Sequence, residues 1–408
     1  MDEPGSGGEP WAAVWRLPGR STRALVDLDQ IHRNYRALSA AAEGTPFMAV
    51  VKANAYGHGA VMVARTAVEA GAAMLGVATV DEARVLRDAS VSAPILVMGP
   101  IDDSELQEAV RLEIDISVGD LRFLDLLLAA QRVAPRPAPI HVHVKVDTGM
   151  HRFGASVADA VDLAAAVDSA DGLRLRGLFT HLATADDADP RLTDEQAGRF
   201  RSLLERLRQL DLRPEIVHAA NSAAVIRRRD LRFDMTRIGI SAYGLRSSAN
   251  GESPDGVRPA LGLRSLVRRV MELRPGDAVS YGSTYRATGV EHAALVPIGY
   301  ADGFPRSVSN RGWMSVGGVR APVRGRVCMD QTVIGVDGAG SVVVNNEVVI
   351  IGDGEGEPTA DDIAEMTGTI NYEIVAGLSP RIPRFHWRAG RVVATEDLSG
   401  LHLGMKPE

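Results

Sequence analysis

Cysteine is almost missing: among 408 residues only Cys328 carries a thiol, so no internal disulfide can form and nothing calls for an oxidising compartment. A basic excess is missing too. Lysine and arginine number 45 against 52 acids, a formal charge of −7, which leaves no surplus to neutralise a phosphate backbone and argues against a nucleic-acid partner. No uncharged apolar stretch approaches the roughly 18 residues that suggest a membrane span. A basic opening followed by an apolar run, the mark of a secretory signal, is not present either. Instead MDEPGSGGEPWAAVWRLPGR begins with acids and is rich in Pro and Gly, and reads as a mobile leader over residues 1–20. No repeat of fixed period appears. These absences leave a globular cytoplasmic protein whose partners are small molecules, with neither membrane nor nucleic acid.

What is present is a rhythm. From about residue 21 to 245, short apolar runs at 47–52, 73–79, 94–98, 114–118, 140–147, 175–181, 216–220 and 234–240 alternate with amphipathic segments such as VMVARTAVEAG and DEQAGRFRSLLERLRQL. Eight such strands separated by helices fit a (β/α)8 TIM-like barrel better than an open doubly wound sheet. After the Gly/Ser/Pro-rich stretch 247–259 the texture changes to short β runs with turns. One helix is expected there, starting after Thr359 with Asp362 three residues on, close to a capping box. The expected organisation is a leader over 1–20, a barrel over 21–254, a mostly-β C-terminal domain over 255–396 and a tail over 397–408.

Polar groups at the C-terminal ends of barrel strands carry functional weight, because active sites in this fold gather there. FMAVV, residues 47–51, is continuously apolar and ends in Lys52. In HVHVKVDTGMHRFG strict alternation turns Val142, Val144 and Val146 toward the helices and His141, His143, Lys145 and Asp147 inward. The sixth strand finishes at His181, the seventh delivers Asn221 and Ser222, and the eighth brings Arg237, Gly239 and Ile240. Taken singly these have plain readings: Lys52 as a snorkelling lysine, Tyr56 and His58 as loop residues, His141 and His143 as buried polar groups without a third metal ligand. The arginines at 201, 206, 208 and 227–229 read as a solvated surface. The combination is harder to explain by packing. A lysine on a strand end, Gly and Ser after strands seven and eight, and a cation placed for a ring nitrogen together describe pyridoxal phosphate binding.

The motifs AVVKANAYGHG, KVDTGMHRFG, FTHLATAD, HAANSAA, MTRIGISAYGL, VSYGSTY, VPIGYADGFPR and GRVCMDQ, in this order from about residue 22 to 385, resemble the motif series of alanine racemases. The resemblance implies pyridoxal 5'-phosphate as cofactor and interconversion of L- and D-alanine, supplying D-alanine for peptidoglycan. It implies Lys52 as cofactor lysine and one catalytic base, with Tyr281 as the other. Tyr56, Ser222, Gly239, Ile240 and Tyr300 would bind the phosphate with Asn221 nearby, and Arg237 would face the pyridine nitrogen. His181 would support the network of Arg237 and Tyr281. Arg152, Met329 and Asp330 would meet the substrate, and Lys145 is a candidate for a carbamylated lysine that orients Arg152. The family works as a homodimer with shared active sites. Pro380 in GLSPRIPR stands where some relatives place a tyrosine that reaches the phosphate region, so that contact is absent or replaced here. The alternatives are a racemase of serine or another small amino acid, a same-fold amino-acid decarboxylase, and a single-barrel cofactor carrier. Decarboxylases of this architecture set a carboxylate against the ring nitrogen, whereas Arg237 is a cation; the carriers lack a second domain.

Overall fold

In a computed structural model, residues 10–133, 138–247 and 253–404 are described. They form two compact units. One holds Ile31–Ala55 and Val63–Val257; the other holds the chain up to Gln30, the segment Tyr56–Met62 and the chain from Arg258 onward.

The first unit is the barrel. Its eight parallel strands are Phe47–Val50, Met74–Val77, Ile95–Val97, Asp115–Val118, Ile140–Asp147, Leu173–Phe179, Ile216–His218 and Thr236–Ile238, matching the eight apolar runs of the sequence. Each pairs with the next up to the seventh, and the last returns to the first through Thr236 opposite Phe47. Between the seventh and eighth strands the ring is joined by Asp234 N–H to the Val217 carbonyl at 3.0 Å and Arg237 N–H to the Ala220 carbonyl at 2.9 Å. Methionines fill part of the interior. Met48, Met74, Leu96 and Met235 form one buried cluster, where an unbranched side chain adapts to the taper. Along the fifth strand Val142, Val144 and Val146 are fully buried and alternate with the polar series His141, His143 and Lys145, as the period of two requires. Gly177 on the sixth strand is forced by this arrangement, since a Cβ there would lie 2.0 Å from His143 Nδ1.

The second unit is mostly β. Its main sheet runs in the order Val319–Pro322, Trp313–Val316, Glu347–Ile351, Leu261–Leu266, Arg23–Asp27, Arg384–Arg388, Arg391–Asp397, Gly400–Leu403. A three-stranded sheet of Arg269–Leu273, Glu291–Val296 and Thr332–Gly335 and a hairpin of Ala278–Val279 with Tyr285–Arg286 complete it. The helix expected after Thr359 is Ala360–Thr367, and the capping box is present in both directions.

Three expectations about the chain ends change. Arg23–Asp27, placed with the barrel by its position in sequence, lies inside the β unit's sheet between Leu261–Leu266 and Arg384–Arg388. The leader expected over 1–20 is ordered where described: Pro10–Arg16 is a helix whose Trp11 and Val14 pack with Leu25, Phe385 and Trp387. Arg23 is buried beside it, its guanidinium 5.2 Å from the Trp15 ring and 5.3 Å from that of Phe385, and Trp15 Nε1–H donates to Glu347 at 2.6 Å. Burial of aromatic surface holds the segment despite its Pro and Gly. Residues 1–9 lie outside the described set. In the expected tail, Gly400–Leu403 adds a strand to Arg391–Asp397, and 405–408 are again outside.

Candidate active site

The barrel ladder sets the position of Lys52. Val51 N–H still reaches the Gly76 carbonyl at 2.9 Å, and one residue later the strand is over, so Lys52 stands on the C-terminal rim. The chain then makes a left-handed turn: φ is +52° at Ala53, +51° at Asn54, +52° at Ala55 and +51° at Tyr56, with Ala55 N–H donating to the Val51 carbonyl at 2.9 Å. For L-residues this conformation costs roughly 1–2 kcal/mol each, so the surroundings must impose it. Burial, and then the charge of Arg152, push the Lys52 ammonium below its ordinary pKa, while Glu82 opposes them.

The fifth strand and its loop add two more cations. Lys145 is buried with Nζ 4.4 Å from the Phe179 ring centroid, and burial, then Arg237 and Arg152, lower its pKa well below that of a free lysine. Asp147 accepts from the backbone N–H groups of Gly149, Met150 and His151 at 2.9, 3.0 and 3.1 Å, which shapes the loop that presents Arg152. Lys145, Asp147, Met150, Arg152, Phe153 and His181 line one small cavity. His181 is driven well below the usual imidazole range by burial and by the cations Arg237, Lys145, Arg152 and Lys52.

Arg237 is fixed from four sides. One terminal nitrogen donates to the carbonyls of Thr180 and Ala219, both at 2.8 Å, and lies 3.3 Å from His181 Nδ1; the other lies 3.1 Å from His218 Nδ1. Burial lowers its pKa to about 9, which leaves it a cation at neutral pH. The donor directions beyond it follow from chemistry. A guanidinium only donates, so His218 Nδ1 accepts and its Nε2–H donates to His143 Nδ1 at 3.1 Å; His143 Nε2–H then donates to Asp115 at 3.1 Å. Two neutral imidazoles therefore connect a buried guanidinium to a buried carboxylate. Both histidines have lowered pKa values, first because of burial.

Asp115 ends that relay and also lies 3.1 Å from Arg176 and 3.3 Å from His141. Burial alone would raise its pKa, but contacts with His141 and His143 and the nearby charges bring it to about 2, from an ordinary 3.8. The folded protein thus binds this proton less readily than the unfolded chain. The associated stability, about 2 kcal/mol, is whole above about pH 4 and is lost as pH falls toward about 2. Urea denaturation repeated between those pH values is expected to show a steeper loss for the natural protein than for Asp115→Asn; parallel curves would contradict this. Among the described residues no group of His, Cys, Asp and Glu is arranged to hold a metal.

At the ends of the last two strands, Asn221 Oδ1 accepts from Ala224 N–H at 3.1 Å and opens the short helix Ser222–Arg227, while Gly239 N–H donates to Ser222 Oγ at 2.9 Å. Ile240 follows in a single 3₁₀ turn, Ile240–Tyr243. The structure therefore gathers Lys52, Lys145, Arg152, His181 and Arg237 into one electrostatic cluster in the barrel, with Asn221, Ser222, Gly239 and Ile240 on the same rim.

Five other expected residues belong to the β unit. Tyr56 lies in its segment Tyr56–Met62. Tyr281 sits at the tip of the short hairpin, 73 % exposed, in a loop where Ser280, Gly282 and Ser283 all have positive φ. Met329 and Tyr300 are 52 % and 43 % exposed and are tied together, Tyr300 N–H donating to the Cys328 carbonyl at 3.1 Å and Ala301 N–H to that of Met329 at 3.0 Å. Asp330 accepts from Arg381 at 2.7 Å. Pro380 lies in the turn before Arg384–Arg388 and is exposed. Sequence reading missed Asp115, His218, Asp302 and Glu82. Only Glu82 had a local signal, the T-x-x-E spacing from Thr79, and that spacing announces a helix cap rather than a site.

A parallel barrel with a lysine-centred cationic rim, carried in one chain with a β unit, defines a barrel enzyme whose rim favours ligands bearing anionic groups. Residues 26–247 match the family model "Alanine racemase, N-terminal domain" and residues 260–386 match "Alanine racemase, C-terminal domain". The chain belongs to the alanine racemase family. It is 42% identical over 381 residues to the alanine racemase of Mycobacterium tuberculosis, covering 92% of this chain and 98% of that protein. It is 41% identical over 372 residues to that of Thermobifida fusca, covering 90% and 98%. Among solved structures it is similar to alanine racemase from Bacillus anthracis with bound L-Ala-P, at a TM-score of 0.87 and 37% identity over 93% of this chain and 98% of that one. The enzyme from D-cycloserine-producing Streptomyces lavendulae gives 0.84 and 39% over 91% and 98%.

Proposed function

We propose that this enzyme interconverts L- and D-alanine with pyridoxal 5'-phosphate as cofactor, in the cytoplasm, and supplies D-alanine for peptidoglycan. The observation that carries the reading is Lys52, a partly buried amine on the barrel rim whose pKa burial and Arg152 depress. The donor set fits the cofactor. Lys52, Lys145, Arg152 and Arg237 act on one another, and the one carboxylate on the fifth strand's end, Asp147, is engaged by three backbone N–H groups. Such a cluster favours ligands that bring a phosphate and a carboxylate. Lys52 would hold the cofactor's carbonyl carbon, Ser222, Gly239, Ile240, Tyr56 and Tyr300 its phosphate with Asn221 nearby, and Arg237 its ring nitrogen. Pyridoxal phosphate, when bound, withdraws electrons from the amino acid and makes its α-proton removable.

The protein's part is to move that proton in both directions. Lys52 exchanges a proton at Nζ on one face of the α-carbon and Tyr281 exchanges one at Oη on the other, because inversion requires delivery from the side opposite removal. Arg237 keeps its own proton at neutral pH, so it does not protonate the ring nitrogen and electron withdrawal stays moderate, which limits side reactions. Arg152, oriented by a carbamate on Lys145, meets the cofactor hydroxyl and the substrate carboxylate, and Met329 with Asp330 completes the substrate end. His181 supports Arg237 and Tyr281. Tyr281, Tyr300, Met329 and Asp330 serve the partner's barrel in a homodimer with shared sites, a reading supported by the exposure of Tyr281, Tyr300 and Met329.

Subunit exchange tests the shared site. Lys52→Ala and Tyr281→Phe proteins are each expected to be inactive in a chiral alanine assay. Equal amounts allowed to exchange should recover about a quarter of natural activity, since half the dimers are mixed and each has one intact site of two. No recovery after demonstrated exchange would contradict sharing.

A further inference from the structure

We propose that Glu82 is a positioning residue for Lys52, a carboxylate that clips together the ends of the first two barrel strands where their own ladder stops. The proposal rests on the reading of Lys52 as the cofactor lysine and deepens it.

Phe47–Val50 and Met74–Val77 are neighbours, paired through Val50 and Gly76. Their last mutual bond here is Val51 N–H to the Gly76 carbonyl at 2.9 Å. Beyond it Ala53 and Ala78 each present a backbone N–H that the ladder no longer serves. Glu82 takes both: Oε1 accepts from Ala53 N–H at 2.6 Å and Oε2 from Ala78 N–H at 2.7 Å, with Thr79 N–H at 3.3 Å from the same oxygen. Glu82 also belongs to a reciprocal capping box at the start of the helix Val80–Asp88, its backbone N–H donating to Thr79 Oγ1 at 3.2 Å.

A cap alone does not explain this arrangement. Capping requires only the contacts to Thr79, whereas the bond to Ala53 reaches 29 positions back along the chain, to the residue after Lys52. Ala53 is also the first residue of the left-handed turn, so the strained backbone following the lysine is held at its start by a charged acceptor. Within the cluster Arg152, Lys145, His181 and Arg237 act on one another and the carboxylate Asp147 acts on Lys145, whereas at Lys52 itself the cation Arg152 is opposed by Glu82.

The test separates positioning from capping. In cofactor-free protein, the acetylation rate of Lys52 by acetic anhydride is followed against pH by peptide mass spectrometry, and racemisation is measured on cofactor-loaded protein. Glu82→Gln is expected to move the Lys52 reactivity profile to lower pH and to reduce kcat about 10–100-fold. Thr79→Ala, which removes the cap acceptor and leaves the carboxylate, is expected to leave both within about twofold. An unchanged profile and kcat in Glu82→Gln, or equal effects in the two variants, would overturn the proposal. Should Glu82→Gln not fold, Glu82→Asp keeps the charge but shortens the reach; a lowered kcat with little displacement of the profile supports the clip, and natural kcat overturns it. Natural protein that fails to capture pyridoxal phosphate on Lys52 would count instead against the functional reading, since the reactivity profile is measured without cofactor.

Discussion

Lys52→Ala is expected to lose at least about 10⁴-fold in alanine racemisation, because the proposed reading places two functions on one side chain: the covalent hold on the cofactor and a proton-transfer group on one face of the substrate. Position is what gives this lysine both functions. The last ladder bond of the first strand is made one residue earlier, burial and Arg152 favour its neutral amine, and a left-handed turn follows it. Lys52→Arg is expected to fare no better, since a guanidinium keeps its charge and cannot act as the amine nucleophile. The check is chiral chromatography of alanine after incubation with each variant, together with borohydride trapping of pyridoxal phosphate and peptide mapping. Natural protein should carry the label on the Lys52 peptide and both variants should not.

Asp302→Ala is expected to destabilise the β unit by about 3–4 kcal/mol. Its side chain has no solvent exposure and accepts two hydrogen bonds from Arg20, at 2.6 and 2.7 Å, and one from Gly299 N–H at 3.0 Å, with Arg381 3.5 Å away. Removing the carboxylate leaves the Arg20 guanidinium, itself only 26% exposed, facing a buried gap with an unpaired charge. It also frees the Gly299–Gly303 loop, on which Tyr300 stands. Arg381→Ala should cost far less, because its bond to Asp330 is half exposed and water screens it. Urea denaturation followed by tryptophan fluorescence distinguishes the two; equal losses would show that the bidentate pair is not what holds the loop.

How much of this could be read beforehand differs by element for physical reasons. The barrel strands were legible because each is a short continuous apolar run bounded by polar helices, and FMAVV ending in Lys52 carried both the strand and the lysine on its rim. Lys145 was legible through alternation with Val142, Val144 and Val146. The helix after Thr359 was legible because a capping box is a local signal. Arg23–Asp27 was not, since what assigns it to the β unit is pairing with residues more than two hundred positions away, which no local pattern records. In the leader, Pro and Gly content outweighed the spacing of Trp11, Val14 and Trp15, and partners such as Phe385 lie at the other end of the chain. The relay from Arg237 through His218 and His143 to Asp115 joins four strands, so only closure of the barrel reveals it. Glu82 was missed: the T-x-x-E spacing from Thr79 announces a cap only, and its bond to Ala53 depends on which strands are neighbours.

The most direct measurement of the central claim is proton exchange at the substrate carbon. Purified protein supplied with pyridoxal phosphate and L-alanine in deuterium oxide is expected to yield D-alanine carrying deuterium at the α-position, read by proton NMR and chiral separation. L-Alanine whose α-hydrogen persists unchanged in the presence of bound cofactor would contradict the account.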